Sequence, residues 1–256
     1  MSAQLQLTKQ ASVANIIIDN PPANTWTDDT LVQLKTMVED LNADKTIRAL
    51  VIKGQGDKFF SAGADLKIFA AADEGKALQM ATLFGEAFET LSNFRGVSIA
   101  AINGYAMGGG LEVALACDIR LCSPNAKMAL PEARVGLLPC AGGTQNLTAA
   151  VGEGWAKRII LCGATVDAAS AEKIGLVEQV IDADALDSEA TKLAQDVAGQ
   201  SPTSLKFCKQ LIQMGRHMPR WQALIQEREL FVKLWRDNNR KEGCEAFLQK
   251  RAPNWN

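Results

Sequence analysis

The sequence predicts an α/β fold, in which helices cover a largely parallel β-sheet, followed by a helical C-terminal region. Two continuous apolar runs of strand length, RALVIKG (48–54) and VSIAAIN (97–103), each precede segments with helical periodicity. That alternation is typical of parallel sheets. From residue 183 onwards the pattern is helical, with prolines marking boundaries. We therefore predict a core over residues 1–195 and a helical region over residues 196–256.

The elements of the core follow from local patterns. The opening LQLTKQASVANIIID predicts two strands joined by a short turn. Thr27 and the two acidic residues after it predict the start of a helix with one apolar face. The apolar spacing predicts a long helix over 75–94, and the pattern continues with a short helix from about Gly110 and a strand over 117–123.

Composition excludes several classes of protein. The 256 residues are 47% hydrophobic and 22% charged, with a net charge of -2, which is typical of a soluble globular protein and not of a nucleic-acid binder. No apolar run approaches the ~18 residues of a membrane span, and the opening segment lacks the pattern of a secretory signal. We expect a cytoplasmic protein that binds neither nucleic acid nor membrane.

Cysteine and histidine usage gives no sign of a metal centre. The six cysteines form no CxxC pair, and the single histidine, His217, has no partner pattern. Neither a zinc site nor a disulfide framework is indicated. We expect most of the cysteines to be reduced and buried.

Two glycine-rich or small-residue loops are candidate binding sites. GYAMGGGLEVA (104–114) joins a strand to a helix, and FFSAGADLK (59–67) follows the strand RALVIKG. Backbone N–H groups at such a helix start attract a negatively charged group. The first loop lacks the GxGxxG and GK[ST] spacings of nucleotide sites; a simple tight turn remains an alternative. If the two preceding strands are neighbours, the loops lie side by side at their carboxyl ends.

Two glutamates are candidate catalytic residues. Glu112 falls in the first turn of the predicted short helix, and Glu132 lies in a loop between Pro131 and Pro139. A first-turn acid also interacts favourably with the helix dipole, so Glu112 has a structural alternative. Glu132 alone would carry little weight.

The segments FFSAGADLK, GYAMGGGLEVALACDIRL and PEARVGLLPCAGGTQNL resemble the signature segments of the crotonase (enoyl-CoA hydratase/isomerase) superfamily, in order and in spacing. The resemblance extends from the NPPANT loop to EGCEAFLQKRAPNW near the end. It implies a crotonase-like spiral of ββα units with a helical C-terminal trimerisation region, and an acyl-CoA substrate. Cys140 and Asn146 depart from the family pattern, which usually has glycine and arginine there.

The resemblance also implies residue roles. The N–H groups of Ala64 and Gly109 would form an oxyanion hole for the thioester carbonyl, while Glu112 would activate water and Glu132 would donate a proton to C2. Coenzyme A would be bound by residues of the second loop and of the C-terminal segment, namely Ala62, Ala64, Asp65, Leu66, Lys67, Phe247 and Lys250. No metal or redox cofactor is implied, since CoA enters as part of the substrate.

We therefore expect an enoyl-CoA hydratase of acyl-CoA catabolism such as β-oxidation, assembled as a homotrimer or homohexamer. Two alternatives stay open: an enoyl-CoA isomerase of the same fold, and a non-catalytic acyl-CoA-binding protein. Both acids together favour hydration, because an isomerase can shuttle its proton with one carboxylate. In the C-terminal helices the apolar face that includes Phe231 and Trp235 fits either a core or an oligomer interface.

Overall fold

The computed structural model describes residues 4–255, and the chain divides into two compact units after Ala194. The division lies one residue from the boundary placed on the sequence. Within the described residues, no helix combines the length and apolar character needed to cross a bilayer.

The strands are short and are concentrated in the first unit. In chain order they are β1 Leu5–Gln10, β2 Val13–Ile18, β3 Ala49–Gly54, β4 Phe59–Ser61, β5 Val97–Ile102, β6 Tyr105–Met107, β7 Ile119–Cys122, β8 Lys127–Ala129, β9 Val166–Asp167 and β10 Gln179–Val180.

The helices lie between these strands and then follow one another to the end of the chain. They are α1 Asp28–Ala43, α2 Leu66–Ala70, α3 Glu74–Ser92, α4 Gly109–Ala116, α5 Gly143–Leu161, α6 Ala168–Lys173, α7 Leu186–Ala198, α8 Pro202–Met214, α9 Arg220–Lys233 and α10 Asn238–Leu248, with 3₁₀ turns at Glu132–Val135 and Leu234–Arg236.

Two sheets form the first unit. The larger has the order β1-β2-β3-β5-β7-β10, and every pair except β1–β2 is parallel. The smaller has the order β4-β6-β8-β9, with β4, β6 and β8 parallel. Strands β3 and β5 are parallel neighbours, which meets the condition stated for the strands RALVIKG and VSIAAIN.

A ββα repeat relates the two sheets. In each of the pairs β3–β4, β5–β6 and β7–β8, the first strand joins the larger sheet, the second joins the smaller sheet, and a helix follows. The carboxyl ends of three parallel strands therefore lie next to one another in the smaller sheet, and each opens into a loop.

Local sequence explains the main helices of this unit. Thr27 caps α1 in a reciprocal capping box with Thr30, and Leu31, Leu34, Val38 and Leu41 are fully buried. Helix α3 buries Met80, Phe84, Phe88 and Leu91 at helical spacing. Both helices contribute to the same hydrophobic core.

The second unit consists of helices from α8 onwards. Ser201 caps α8, whose first residue is Pro202, and Asp237 caps α10. The Trp255 indole N–H donates to the Gly199 carbonyl at 2.7 Å, which ties the end of the chain to the start of this unit.

Several large apolar side chains of this unit are exposed. Phe231 and Trp235 contact each other, yet each remains more than half exposed. Of the two interpretations left open for this face, burial within the core of the chain is therefore wrong.

Candidate active site

Three loops leave the smaller sheet at the carboxyl ends of β4, β6 and β8. The first carries Ala62 to Lys67, the second carries Gly108 and leads into α4, and the third carries Pro131 and Glu132. We expected the first two loops to follow the strands of the larger sheet, and that detail is wrong. The loops follow β4 and β6, whose pairing brings them together.

The backbone of Trp26 fixes the first loop. Its N–H donates to the Gly63 carbonyl at 2.8 Å, and its carbonyl accepts from the Asp65 N–H at 3.3 Å. Ala64, between these two bonds, forms a bridge with Trp26. Within residues 4–255 the Ala64 N–H has no protein acceptor.

The second loop approaches the first very closely. A Cβ atom added to Gly63 would lie 2.5 Å from the Met107 carbonyl oxygen and 3.0 Å from the Gly109 nitrogen. The backbone carrying Ala64 is therefore packed against the backbone carrying Gly109, which is the first residue of α4. The N–H of a first helical residue has no partner within its own helix. The two predicted oxyanion donors thus lie on adjoining backbone segments.

Glycine is required at the first and the last of the three consecutive glycines for separate reasons. Gly108 has a φ of +54°, and a Cβ there would lie 3.0 Å from Glu132 Oε1. Gly110 lies so close to β4 that a Cβ would be 2.1 Å from the Ser61 carbonyl oxygen. A simple turn would need neither contact.

Glu112 is 3% exposed and is held by backbone donors. Its Oε1 accepts from the Ala141 N–H at 2.8 Å and from the Gly143 N–H at 2.9 Å, and Gly143 begins the long helix α5. Burial raises the pKa of Glu112, and these two hydrogen bonds oppose the rise. Since both bonds end on Oε1, they leave Oε2 for proton transfer.

Glu132 has a different environment. Within the described chain its Oε2 is buried and has no hydrogen-bond partner. Burial raises its pKa to about 7; its own backbone N–H opposes the rise, and the Glu112 carboxylate adds to it. Near neutral pH, Glu132 therefore holds a proton much more readily than an ordinary glutamate.

Both carboxyls face one cavity of about 660 Å³, within the usual range for ligand sites. Its lining includes Ala62, Ala64, Leu66, Gly109, Glu112 and Glu132 of the predicted residues. It also includes residues that were not among the predicted catalytic and binding residues: Phe69, Ala77, Ala81, Phe84, Met107, Gly108, Pro131, Arg134, Val135, Gly136, Leu137, Leu138 and Cys140.

The remaining predicted binding residues lie outside this lining. Asp65 caps α2, accepting from the Lys67 N–H at 3.0 Å, and Lys67 is exposed beside it. Phe247 and Lys250 belong to the second unit, where the Lys250 N–H donates to the Phe247 carbonyl at 3.1 Å and Phe247 is 84% exposed.

Of the two departures from the family pattern, Cys140 lies close to the acids. Cys140 lines the cavity. Although the residue as a whole is exposed, the surrounding protein removes its thiol from water, and this effect, with the charges of Glu112 and Glu132, raises the thiol pKa to about 11. Cys140 precedes helix α5, which begins only at Gly143. The Asn146 side chain contacts Gly142: a Cβ added to Gly142 would lie 2.9 Å from Asn146 Nδ2.

Two other expectations concern cysteines and metals. Cys117 and Cys122 are buried, whereas Cys140, Cys162, Cys208 and Cys244 are exposed, so the expectation that most cysteines are buried is wrong. Residues 4–255 hold no group of three or more His, Cys, Asp or Glu side chains arranged to bind a metal ion.

The repeated ββα fold, with backbone donors and two carboxyls around one cavity, is that of a crotonase-type protein. The chain matches the enoyl-CoA hydratase/isomerase family over residues 8–256 and belongs to that family.

Three relatives illustrate the relationship. The 2,3-dehydroadipyl-CoA hydratase of Escherichia coli is 36% identical over 99% of this chain and 98% of its own length. The short-chain-enoyl-CoA hydratase of Clostridium acetobutylicum is 34% identical over 96% of this chain and 94% of its own. The solved structure of Pseudomonas aeruginosa DspI is 56% identical, covers 100% of this chain and 97% of that chain, and has a TM-score of 0.97.

Proposed function

We propose that this protein is an enoyl-CoA hydratase, which adds water across the 2,3 double bond of an enoyl-CoA thioester. The observation that carries the proposal is the pair of buried carboxyls with unlike surroundings, Glu112 and Glu132, facing one cavity beside the backbone of Gly109. Family membership and the hydratase names of its relatives support the same reaction.

The N–H groups of Ala64 and Gly109 bind the thioester oxygen. During hydration, negative charge moves from the attacked C3 towards that oxygen, giving an enolate. Two fixed donors stabilise the enolate more than the neutral thioester, and losing one such donor costs about 3 to 4 kcal/mol of transition-state stabilisation.

The two glutamates divide the proton transfers. Glu112 accepts a proton from water as it attacks C3, since two backbone donors hold its Oε1 and oppose the rise in its pKa that burial causes, which leaves Oε2 to act as the base. Glu132 delivers a proton to C2, since its raised pKa keeps a proton available near neutral pH. The two acids titrate as a coupled pair because they share one site.

The rest of the substrate is held by the CoA-binding residues. Ala62, Asp65, Leu66 and Lys67 bracket the adenine and phosphate end, at the side of the cavity formed by the first loop. Lys250 supplies a cation and Phe247 an apolar contact, both from a neighbouring subunit of a homotrimer or homohexamer. No further cofactor is required.

We place the protein in the cytoplasm, in acyl-CoA catabolism. Its charge balance of 27 basic to 29 acidic residues gives no support to nucleic acid as a partner.

The test is hydration of crotonyl-CoA, followed as loss of the conjugated-enoyl absorbance. Glu112→Gln and Glu132→Gln should each lower kcat about 100-fold or more and leave acyl-CoA binding intact. Glu153→Gln, at an exposed helix position paired with Lys157, is the matched control and should keep normal activity.

The alternatives give different results. Migration of a 3-enoyl double bond without hydration of any enoyl-CoA would show an isomerase. Tight binding of acyl-CoA with neither reaction would show a binding protein. Near-normal hydration by either glutamine variant would remove that glutamate from the mechanism.

A further inference from the structure

We infer that helix α3 selects the length of the acyl tail, with Ala81 and then Ala77 as the residues that set the limit. The substrates are accordingly enoyl-CoA thioesters with apolar tails that extend well beyond the reacting carbons. This inference rests on the proposed hydration.

Phe84 locates the reactive end of the cavity on α3. A Cβ added to Gly109 would lie 2.9 Å from Phe84 Cε1, so this ring lies directly against the backbone that carries the oxyanion donor. Phe84 also lines the cavity and is 2% exposed. The first carbons of the acyl group must therefore lie beside it.

Ala81 and Ala77 continue from Phe84 along one face of α3. The spacings of three and four residues place all three on the same side of a helix, and all three line the cavity. Phe84 is buried, Ala81 is partly buried and Ala77 is exposed. This order marks a path from the reactive end to solvent, bordered on α3 by the smallest side chain that has a Cβ.

A second segment of the chain also contributes apolar side chains to the cavity. Val135, Leu137 and Leu138 line the cavity and are 55%, 39% and 68% exposed. Isolated apolar residues on a surface are common, but this group lines the same cavity as the alanines. An apolar tail in the cavity would cover both groups of side chains.

One cation borders the cavity. Arg134 is the one basic residue that the described chain contributes to the lining. Its Nη2 donates to the Gly163 carbonyl at 2.6 Å, which holds the guanidinium against the Gly163 backbone without neutralising its charge. The apolar side chains around it favour a methyl end, and a tail that ends in a carboxylate is the comparison that tests this preference.

The rise per residue of α3 gives the number of tail carbons needed to reach each alanine. At about 1.5 Å per residue, Ala81 lies about 4.5 Å and Ala77 about 10.5 Å beyond Phe84. An extended chain advances about 1.2 Å per bond, taking three bonds per residue of an extended backbone. The tail passes Ala81 about four carbons, and Ala77 about nine carbons, after the double bond.

The experiment compares a series of straight-chain 2-enoyl-CoA substrates of increasing length. In the unaltered protein, kcat/KM should rise about fourfold per added methylene, equivalent to about 0.8 kcal/mol each, and level off near the length that reaches Ala77. An enoyl-CoA of matched length with a terminal carboxylate should be the poorer substrate.

Two variants move the limit by different amounts. Ala81→Leu should reduce kcat/KM about tenfold or more for tails that pass Ala81 and leave crotonyl-CoA nearly unchanged. Ala77→Leu should do so only for tails about five carbons longer. Thr82→Leu is the matched control, since Thr82 is exposed, lies outside the lining and follows Ala81 directly; it should leave the profile as it is.

Retained crotonyl-CoA hydration shows that each variant folds. The inference is overturned if Ala81→Leu and Ala77→Leu reduce all lengths equally, cut the series at the same length, or act no differently from Thr82→Leu. The inference that the tail is apolar is overturned if the enoyl-CoA with a terminal carboxylate is a better substrate than the straight-chain enoyl-CoA of matched length.

The inference can also fail separately from the hydration. Saturated acyl-CoA thioesters of the same lengths cannot react, so their Kd values test the path even if no enoyl-CoA is hydrated. The same two limits should appear in those Kd values. Failure of hydration with these limits intact would refute the proposed reaction alone.

Discussion

The two ends of the cavity are built in different ways. The reactive end consists of backbone segments in contact, where Gly63 adjoins Gly109 and Gly108 adjoins the Glu132 carboxyl. The tail end consists of apolar side chains, including Val135 and Leu138, that are more than half exposed.

The difference reflects what each end must do. Stabilising charge on one oxygen requires donors held in fixed positions, and backbone held in close contact provides them. Holding an apolar tail requires area, which many side chains can supply. A single added methyl group should therefore have large effects at the reactive end and length-dependent effects at the tail end.

Gly63→Ala should have the largest effect. A Cβ at this position would meet the Met107 carbonyl oxygen at 2.5 Å, so the segments carrying Ala64 and Gly109 must separate. We expect kcat to fall about 100-fold or more through misplacement of both oxyanion donors, and the free energy of unfolding to fall by about 1–3 kcal/mol. Hydration kinetics and chemical denaturation measure the two effects.

Gly56→Ala is the control for Gly63→Ala. Gly56 has a φ of +82°, close to the +86° of Gly63, but an added Cβ would meet nothing within 4 Å. It should therefore lose about 1 kcal/mol of stability from backbone strain and keep its activity. Equal losses of activity in the two variants would show that strain, and not contact between the segments, explains the result.

The contrast also explains what the sequence could predict. Helix α1 begins where its cap predicted, α3 spans Glu74–Ser92 where residues 75–94 were expected, and β3 lies beside β5. These elements are long enough for their apolar spacing to be read. Strands β4 and β6 have three residues each, too few to show a period, and their pairing is what brings the two site loops together.

The surroundings of Glu112 and Glu132 could not be predicted from the pattern of side chains in the sequence. Glu112 is held by the backbone N–H groups of residues 141 and 143, about thirty positions along the chain, and any sequence has such groups. The raised pKa of Glu132 arises from burial by the folded loops. Only the family resemblance pointed to these two residues as a pair.

The pH dependence of kcat/KM tests whether Glu132 is the proton donor, the role that distinguishes it from Glu112. Glu132 has a pKa raised to about 7, and as the proposed acid it must be protonated to deliver a proton to C2. Above about pH 7, kcat/KM should fall about tenfold per pH unit, because each unit reduces the protonated fraction tenfold. Hydration rates from pH 5 to 9 measure this limb.

A profile that stays flat up to pH 9 would contradict the assignment of Glu132 as the acid.

The free energy of unfolding should also fall as pH rises through this range. The folded protein binds a proton at Glu132 more tightly than the unfolded chain does, so its free energy of unfolding should fall as pH rises from about 4.5 to about 7. Glu132→Gln should lack that part of the dependence.

Substitution of Cys140 should have the smallest effect, although this side chain lies at the reactive end of the cavity. Its thiol pKa of about 11 keeps it protonated at neutral pH, so it supplies neither a charge nor a nucleophile. Cys140→Gly, which restores the usual family residue, should change kcat/KM less than about threefold, as expected for a group with no proton to transfer. A loss of about 100-fold would mean that the thiol takes part in the reaction, and the reactive end would then rest on three side chains instead of two.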